Sequence, residues 1–326
     1  MTHTTLSVSL AVGKSDLNQA LLDGRVTVPG ADLTVLSYPS PERHWRMLRR
    51  GDFAAAEVSL GAFLAVRERE PGRFVAIPAF PHRRFRHSYV FVGDGSTARR
   101  PGQLAGGRIG LRTWTNTAGV WTRGILQDEY GLDLRKIRWV LQDEDTAGEG
   151  GLPAAFDIER VAPGETVVDL TVRGELDALI YPEIPDVLGD GLRRLFDDSH
   201  AEEMAYVEKT GTFPIMHLVV LRADVVGAHP WLARDLLTAF RASKDIALDT
   251  VRDPRRVCLA WARDAYEQQR RLMGPDPWAY DAAVSAPALE TAMRYCREQG
   301  IVHRAPAVEE LFHPSTLDEP PRYVRA

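Results

Sequence analysis

The sequence predicts an α/β protein made of two α/β units and a helical C-terminal part. Three observations carry that reading. Short apolar strands alternate with short helices over the first hundred or so residues, joined by brief links. At Pro101 the character changes and a second series of strands and helices begins. After the apolar stretch that contains His217, the chain turns helical as far as Gly300.

Leu6–Val12 alternates apolar and polar side chains and reads as a strand. Asp16–Leu22 is a short helix capped by Ser15 or Asp16 and ended by Gly24. Residues 31–36 form a second strand. Residues 41–50 form a helix with Trp45 and Leu48 on one face, stopped by Gly51. Residues 53–60 form a third strand that ends in polar Ser59, and 74–80 another. In open α/β sheets ligands bind beyond the carboxyl ends of strands, which is where Ser59 falls. Phe80-Pro-His-Arg-Arg-Phe-Arg-His-Ser-Tyr-Val-Phe-Val comes next. It gathers His82, Arg83, Arg84, Arg86, His87 and Ser88 at the mouth of a strand, 88–92, too apolar for the surface. A cationic cluster so placed suits a small carboxylate.

In the second unit, residues 101–111 read as a turn, a short helix and a strand. Arg112-Thr-Trp-Thr-Asn-Thr then precedes a helix over 118–130, stopped by Gly131. Free backbone N–H groups at a helix N-terminus make an anion site. Residues 138–141 are a strand, 143–153 an acidic, Gly-rich loop, 159–161 a short strand, 167–173 a helix and 177–181 a buried strand. Residues 182–188 are a turn, and 213–222 are a strand containing His217. Helices over 230–247, 257–271 and 286–299 precede a proline-containing tail, 311–323, expected on the surface. There is no internal repeat, and no low-complexity linker divides the chain, so crossings between units are expected to be strands.

The 326 residues are 44% hydrophobic and 26% charged, the balance of a globular protein. A net charge of −5 gives a nucleic-acid role no electrostatic support. The two cysteines, Cys258 and Cys296, form neither a disulfide framework nor a metal knuckle. Histidines with Glu57 and Asp177 offer metal-binding chemistry, but without recognised spacing, so no metal is expected. The Gly-rich segments lack the phosphate-loop and dinucleotide patterns. The N-terminus lacks a basic region and a long apolar stretch, and no segment approaches a membrane span; the expectation is a cytoplasmic protein without membrane partners.

Several stretches resemble one family. They are Leu22-Asp-Gly-Arg-Val, Ala56-Glu-Val-Ser-Leu, Ile77-Pro-Ala-Phe-Pro, Phe85-Arg-His-Ser, Val120-Trp-Thr-Arg-Gly-Ile-Leu-Gln-Asp-Glu-Tyr-Gly, Gly174-Glu-Leu-Asp-Ala-Leu, Thr210-Gly-Thr-Phe-Pro-Ile-Met-His, His229-Pro-Trp and Glu309-Glu-Leu-Phe. The chain resembles the 4,5-dihydroxyphthalate decarboxylase family over most of its length. The resemblance implies a type II periplasmic-binding-protein-like fold, with a ligand cleft between two lobes. Lobe one would be residues 1–90 plus 218–326, and lobe two residues 91–217. The family has an aromatic and acidic loop after the first strand; here the residues are Gly13-Lys-Ser-Asp-Leu, and only Asp16 fits.

The resemblance implies a cofactor-independent decarboxylase of a hydroxylated aromatic acid. The alternatives are another lyase on the same fold, as in menaquinone-pathway enzymes, or a non-catalytic small-acid-binding protein. The helical C-terminal part leaves surface for a homo-oligomer. The reaction needs a held carboxylate, stabilised ring charge and a proton donor. His87 is the first proton carrier, or else it merely bridges the crossing; Arg86 is the carboxylate clamp. His217 is a second acid, or a satisfied core histidine. Ser59, Ser88 and Thr117 would bind substrate oxygens, with Ser59 alternatively a helix cap. Arg112 and Arg123 would clamp a second carboxylate, unless Arg123 pairs with Asp128 or Glu129. Trp114 would stack on the ring and Tyr181 bind a hydroxyl; Arg83 and Arg84 are expected in solvent, and His82 in a loop.

Overall fold

A computed structural model of the protein describes residues 5–145, 147 and 151–317. Parts of the expected 143–153 loop and 311–323 tail lie outside the described residues. The first part of the chain forms β1 (Leu6–Val12), α1 (Asp16–Leu22), β2 (Ala31–Ser37), α2 (Ser40–Trp45), β3 (Ala55–Ser59), α3 (Leu60–Arg69) and β4 (Phe74–Arg83). The middle forms β5 (Val90–Gly93), β6 (Arg108–Leu111), α4 (Thr117–Tyr130), β7 (Arg138–Leu141), β8 (Asp157–Arg160), α5 (Val167–Val172), β9 (Ala178–Ile180), β10 (Leu192–Arg194) and α6 (Ser199–Thr210). The last part forms β11 (Ile215–Arg222), α7 (Ala223–Ala228), α8 (Trp231–Arg252), α9 (Ala262–Met273) and α10 (Ala282–Glu298).

Among the described residues the strands make two sheets. The first has the order β2-β1-β3-β11-β4. Its β2, β1 and β3 are parallel, while β11 inserts antiparallel between β3 and β4. The second has the order β10-β5-β9-β6-β7-β8 and is parallel from β9 to β8. The chain leaves the first sheet at Arg83, joins the second at Val90, and is back in the first at Ile215. Side chains on β5 and β9 alternate between two apolar clusters, with Val90, Val92, Ala178 and Ile180 on one face and Phe91 and Leu179 on the other. That alternation is why the second sheet carries cover on both sides.

The helix α4 belongs to the middle of the sequence but is packed on the first unit. Trp121 Nε1 donates to Ile215 O at 2.9 Å, and the Trp121 ring meets Tyr295 of α10 edge-on. Gly124 makes the contact possible, because a Cβ there would lie 2.3 Å from the Tyr295 ring. Arg123 Nε donates to Gln299 Oε1 at 2.7 Å. The N-terminus of α4 is thereby held against the first sheet.

Several expectations are corrected. The strand expected over 88–92 begins at Val90; His87–Tyr89 is a tight turn in which Tyr89 N–H donates to Arg86 O. Arg83 is buried and not in solvent, because its guanidinium reaches Ser285 Oγ (2.7 Å) and Ala279 O (3.1 Å). The helix expected over 257–271 starts at Ala262, and the last helix starts earlier than expected because Asp281 caps it by accepting from Val284 N–H. The described part of the tail is partly core: Phe312 bridges to Ala76 and packs edge-on against Phe80. Among the described residues no helix is long and apolar enough to cross a membrane.

His87 anchors the crossing between the sheets. Its ring lies among Tyr130, Phe196 and Tyr206, and its Nδ1 has no hydrogen-bond partner. Burial lowers it to about 4. A free histidine titrates near ~6.5. Below that the unfolded chain takes up a proton that the fold refuses. The contribution of neutral His87 is therefore full above about pH 6.5 and lost as pH falls toward 4, about 3 kcal/mol in all. We expect His87→Gln to flatten the pH dependence of denaturant unfolding between pH 7 and 4.5; an unchanged slope would count against this burial. Gly124→Ala should cost about 1–3 kcal/mol of stability by forcing α4 from Tyr295, and a midpoint equal to wild type would disprove the close fit.

Candidate active site

The carboxyl ends of several strands converge on one cavity of about 370 Å³. The first unit supplies His44 from α2, Ser59 from the end of β3, His82 from β4, and Met216 and His217 from β11. The second supplies Arg112 and Thr113 after β6, Asn116 and Thr117 at the start of α4, Asp143 and Glu144 after β7, and Pro182 and Glu183 after β9. Arg86 enters from the crossing.

Three imidazoles meet on the first-unit side. The rings of His44 and His82 pack edge-on against His217, with centroids 4.7 and 4.5 Å away. The register explains two of them. His217 lies opposite Ser59 on one flank and His82 on the other. On the β4 side the pairing runs from Val219↔Ile77 to His217↔His82, so two steps of β11 face five of β4. The extra β4 residues, which include Pro78 and Pro81, form a bulge on an edge strand, where proline's missing N–H is tolerated. In an unbroken antiparallel ladder Ala79 would face His217; the bulge puts His82 there instead. His44 is brought in by α2, whose continuation Arg46–Arg50 is a widened π-type turn closed by Gly51 at φ 68°.

Burial pushes His44 and His82 well below the usual histidine range, with His217 the next cause for each. Burial also lowers His217, although Glu57 partly offsets it. Its Nδ1 lies 2.6 Å from Glu57 Oε1. Burial alone would raise the Glu57 carboxyl, but Arg43, His217 and the Gly13 amide hold it well below the usual carboxylate range. These imidazoles are therefore neutral near pH 7 and able to accept protons.

Two arginines face the cavity. Arg86 is 1% exposed, donates to Tyr181 O at 2.9 Å and stacks its guanidinium on Tyr89 at 4.1 Å. Its Nε has no partner, and among the described residues no carboxylate lies within ion-pair distance of it. Burial lowers it to about 9, still cationic at neutral pH. Arg112 is half-buried and pairs with Asp143 at 2.8 Å. Ser59 Oγ and Thr117 Oγ1 are 2.7 Å apart, and Gly61 N–H donates to Thr117 Oγ1 at 2.9 Å. A Cβ on Gly61 would lie 2.5 Å from Thr115 O, so glycine is what lets β3 and the start of α4 meet. The amides of that helix N-terminus are partly used: Thr117 N–H donates to Ser59 Oγ and Gly119 N–H to Asn116 Oδ1.

The structure thus brings Ser59, Arg86, Arg112, Thr117 and His217 to one cavity. It places five other expected site residues away from the cavity wall. His87 is in its aromatic cage, and Ser88 Oγ donates to Glu203 at 2.7 Å. Trp114 is buried, donating to Gln299 O at 3.0 Å with Arg123 stacked 3.9 Å over its ring. Arg123 pairs with neither Asp128 nor Glu129; it bonds Gln299 and Trp114 O. Tyr181 is not part of the cavity wall; its backbone carbonyl accepts from Arg86, and its phenol lies near Arg112 and Asp143. Residues 13–17 are also off the wall: Gly13 N–H donates to Glu57 and Ser15 caps α1. His82 is on a strand and not in a loop. His44 was not singled out from the sequence, and Glu57 was named there only as metal-binding chemistry, not as a partner of His217. The available signal for His44 was its helical spacing to buried Met47 and Leu48. Glu57 was visible as a carboxylate in an otherwise apolar strand. Among the described residues, no group of three or more His, Cys, Asp and Glu side chains is placed to hold a metal ion.

No protein-family model matches the chain. It is similar to solved structures at low identity. The periplasmic aliphatic sulphonate binding protein SsuA of Escherichia coli is 14% identical with a TM-score of 0.53, over 98% of this chain and 96% of that one. A DSZB mutant in complex with biphenyl-2-sulfinic acid is 15% identical with a TM-score of 0.56, over 96% and 98%. A Candida albicans protein described as having the generic periplasmic binding protein fold is 11% identical with a TM-score of 0.54, over 97% and 99%. The two-lobed periplasmic-binding-protein-like fold is therefore borne out. A 4,5-dihydroxyphthalate decarboxylase of Pseudomonas putida is 30% identical over 191 residues, covering 57% of this chain and 74% of its own. A 4,5-dihydroxyphthalate decarboxylase of Comamonas testosteroni is 32% identical over 323 residues, covering 96% of this chain and 98% of its own. The protein belongs to the 4,5-dihydroxyphthalate decarboxylase family and is a carboxy-lyase.

Proposed function

We propose that the protein removes CO2 from a hydroxylated aromatic dicarboxylic acid such as 4,5-dihydroxyphthalate, the compound in the names of both curated relatives. The observation that carries this is Arg86, a buried cation facing the cavity without a carboxylate partner among the described residues. An uncompensated buried charge costs several kcal/mol. A substrate carboxylate supplies the missing anion in bidentate geometry. Arg112 leaves Asp143 to hold the second carboxylate, and Ser59 and Thr117 offer hydroxyls to the remaining oxygens.

Proton movement falls to His217, His82 and His44. A neutral imidazole takes the proton of the phenol para to the leaving carboxylate, which pushes an electron pair to the carbon bearing that carboxylate. That carbon is protonated, the C–C bond breaks, and its electron pair restores the aromatic ring as CO2 leaves. The phenol then regains its proton, so one proton is consumed per CO2. A bound dianion raises the pKa values of the nearby imidazoles, and so the proton is recruited together with the substrate.

The direct test is CO2 release from 4,5-dihydroxyphthalate and related hydroxylated aromatic acids; binding without release from any of them would instead favour a small-acid-binding protein. Arg86→Met should keep or gain thermal stability, since it removes an unpaired buried charge, while kcat/KM falls by roughly 100-fold or more. Unaltered kcat/KM would remove Arg86 from the clamp. His217→Gln should lower kcat by roughly 10²–10⁴-fold, whereas His87→Gln should leave kcat near wild type. The reverse pattern would return the proton to His87.

A further inference from the structure

Glu57 sits in the middle of β3 between Ala56 and Val58, 3% exposed, and is not part of the cavity wall. An ionised carboxylate in such a place is costly unless its oxygens are held. They are held closely. Oε2 accepts from Gly13 N–H at 2.8 Å and Asn18 Nδ2 at 3.1 Å. Oε1 accepts from Arg43 Nη2 at 3.1 Å and meets His217 Nδ1 at 2.6 Å. Arg43, itself 1% exposed, is fixed in turn by donating to Glu57 O and Tyr38 O. The Gly13 amide, the Asn18 amino group and the Arg43 guanidinium are all donors with no acceptor capacity. Together they require Glu57 to be an acceptor on every side.

That requirement reaches the cavity through one bond. A group that only accepts makes the nitrogen opposite it donate, so His217 must carry its proton on Nδ1. In the neutral ring Nε2 is then the bare nitrogen, and it is the one left for the cavity that His217 lines. We propose that Glu57 is a positioning residue, which locks His217 in the Nδ1–H tautomer and so presents Nε2 to the substrate as the proton-accepting atom. Only the step that Nε2 serves rests on the decarboxylase reading above; the tautomer does not. The loop after β1 acquires a role here: it braces the carboxylate behind the histidine, through Gly13 and, one turn later, Asn18.

The first test needs no turnover. The protein is labelled with ¹⁵N-histidine and long-range ¹H–¹⁵N spectra are recorded near pH 7.5, with the His217 signals identified by their absence in His217→Gln. A protonated Nδ1 and bare Nε2 is expected; an Nε2–H tautomer overturns the proposal. The second test is kinetic. Glu57→Gln brings an amide N–H into a site of donors. It should lower kcat by roughly 10²–10⁴-fold, the scale seen when a histidine's tautomer is lost, with KM within about 3-fold because Glu57 does not touch substrate. Glu57→Asp keeps the acceptor and should recover at least about 10-fold of that loss. A fall in KM-controlled binding alone, or no rescue by Asp, overturns it. If Glu57→Gln does not fold, the wild-type spectrum still decides. If wild type releases no CO2 from any aromatic acid, the proposed function fails while the tautomer result stands.

Discussion

The antiparallel insertion of β11 between β3 and β4 is the constraint on which the site depends. A strand returning from the second unit has to pair on both sides, because unpaired backbone groups in that buried position would each cost about 1–3 kcal/mol. Once β11 pairs, its register is set by its buried apolar residues. His217 then has no freedom: it faces Ser59 on one side and His82 on the other. The β4 bulge at Pro78 to Pro81 completes the arrangement by substituting a histidine for an alanine at the contact.

The buried charges of Arg43, Glu57, Arg83, Arg86 and Arg123 separate into three kinds. Arg83 and Arg123 are structural: they reach carbonyls, a serine and a glutamine, and Arg123 also stacks on Trp114. Glu57 and Arg43 are an ion pair whose remaining hydrogen-bonding capacity is met by neighbours. Arg86 differs from both, because it faces open cavity. Desolvation of that cation is a cost that the folded protein carries before any ligand arrives, the kind of local expense expected at a binding site.

The crossing over 80–92 shows how finely the fold sorts neighbouring cations. His82 and Arg86 face the cavity, Arg83 points to Ser285, Arg84 is exposed and bonded to Tyr89, and His87 enters an aromatic cage. Arg86 and His87 are adjacent, yet one reaches the site and the other does not. A strand alternates sides with each residue, and the bulge and tight turn change which residues fall on which side. The resemblance in the chain placed the family correctly. Which members of the cluster line the cavity depended on geometry that residue types alone do not carry.

The sequence alone determined the alternation of strands and helices, the glycine stops after α4 and α10, the division into two α/β units, and the family. Those features rest on local periodicity, local backbone preference and extended similarity, all of which are written along the chain. The tertiary structure alone decided that His44, His82 and His217 come together from three separate elements, that Glu57 stands behind them, and that His87 is set aside. Those outcomes rest on strand register, on a bulge in an edge strand that holds Pro78 and Pro81, and on hydrogen bonds between groups more than a hundred residues apart in sequence.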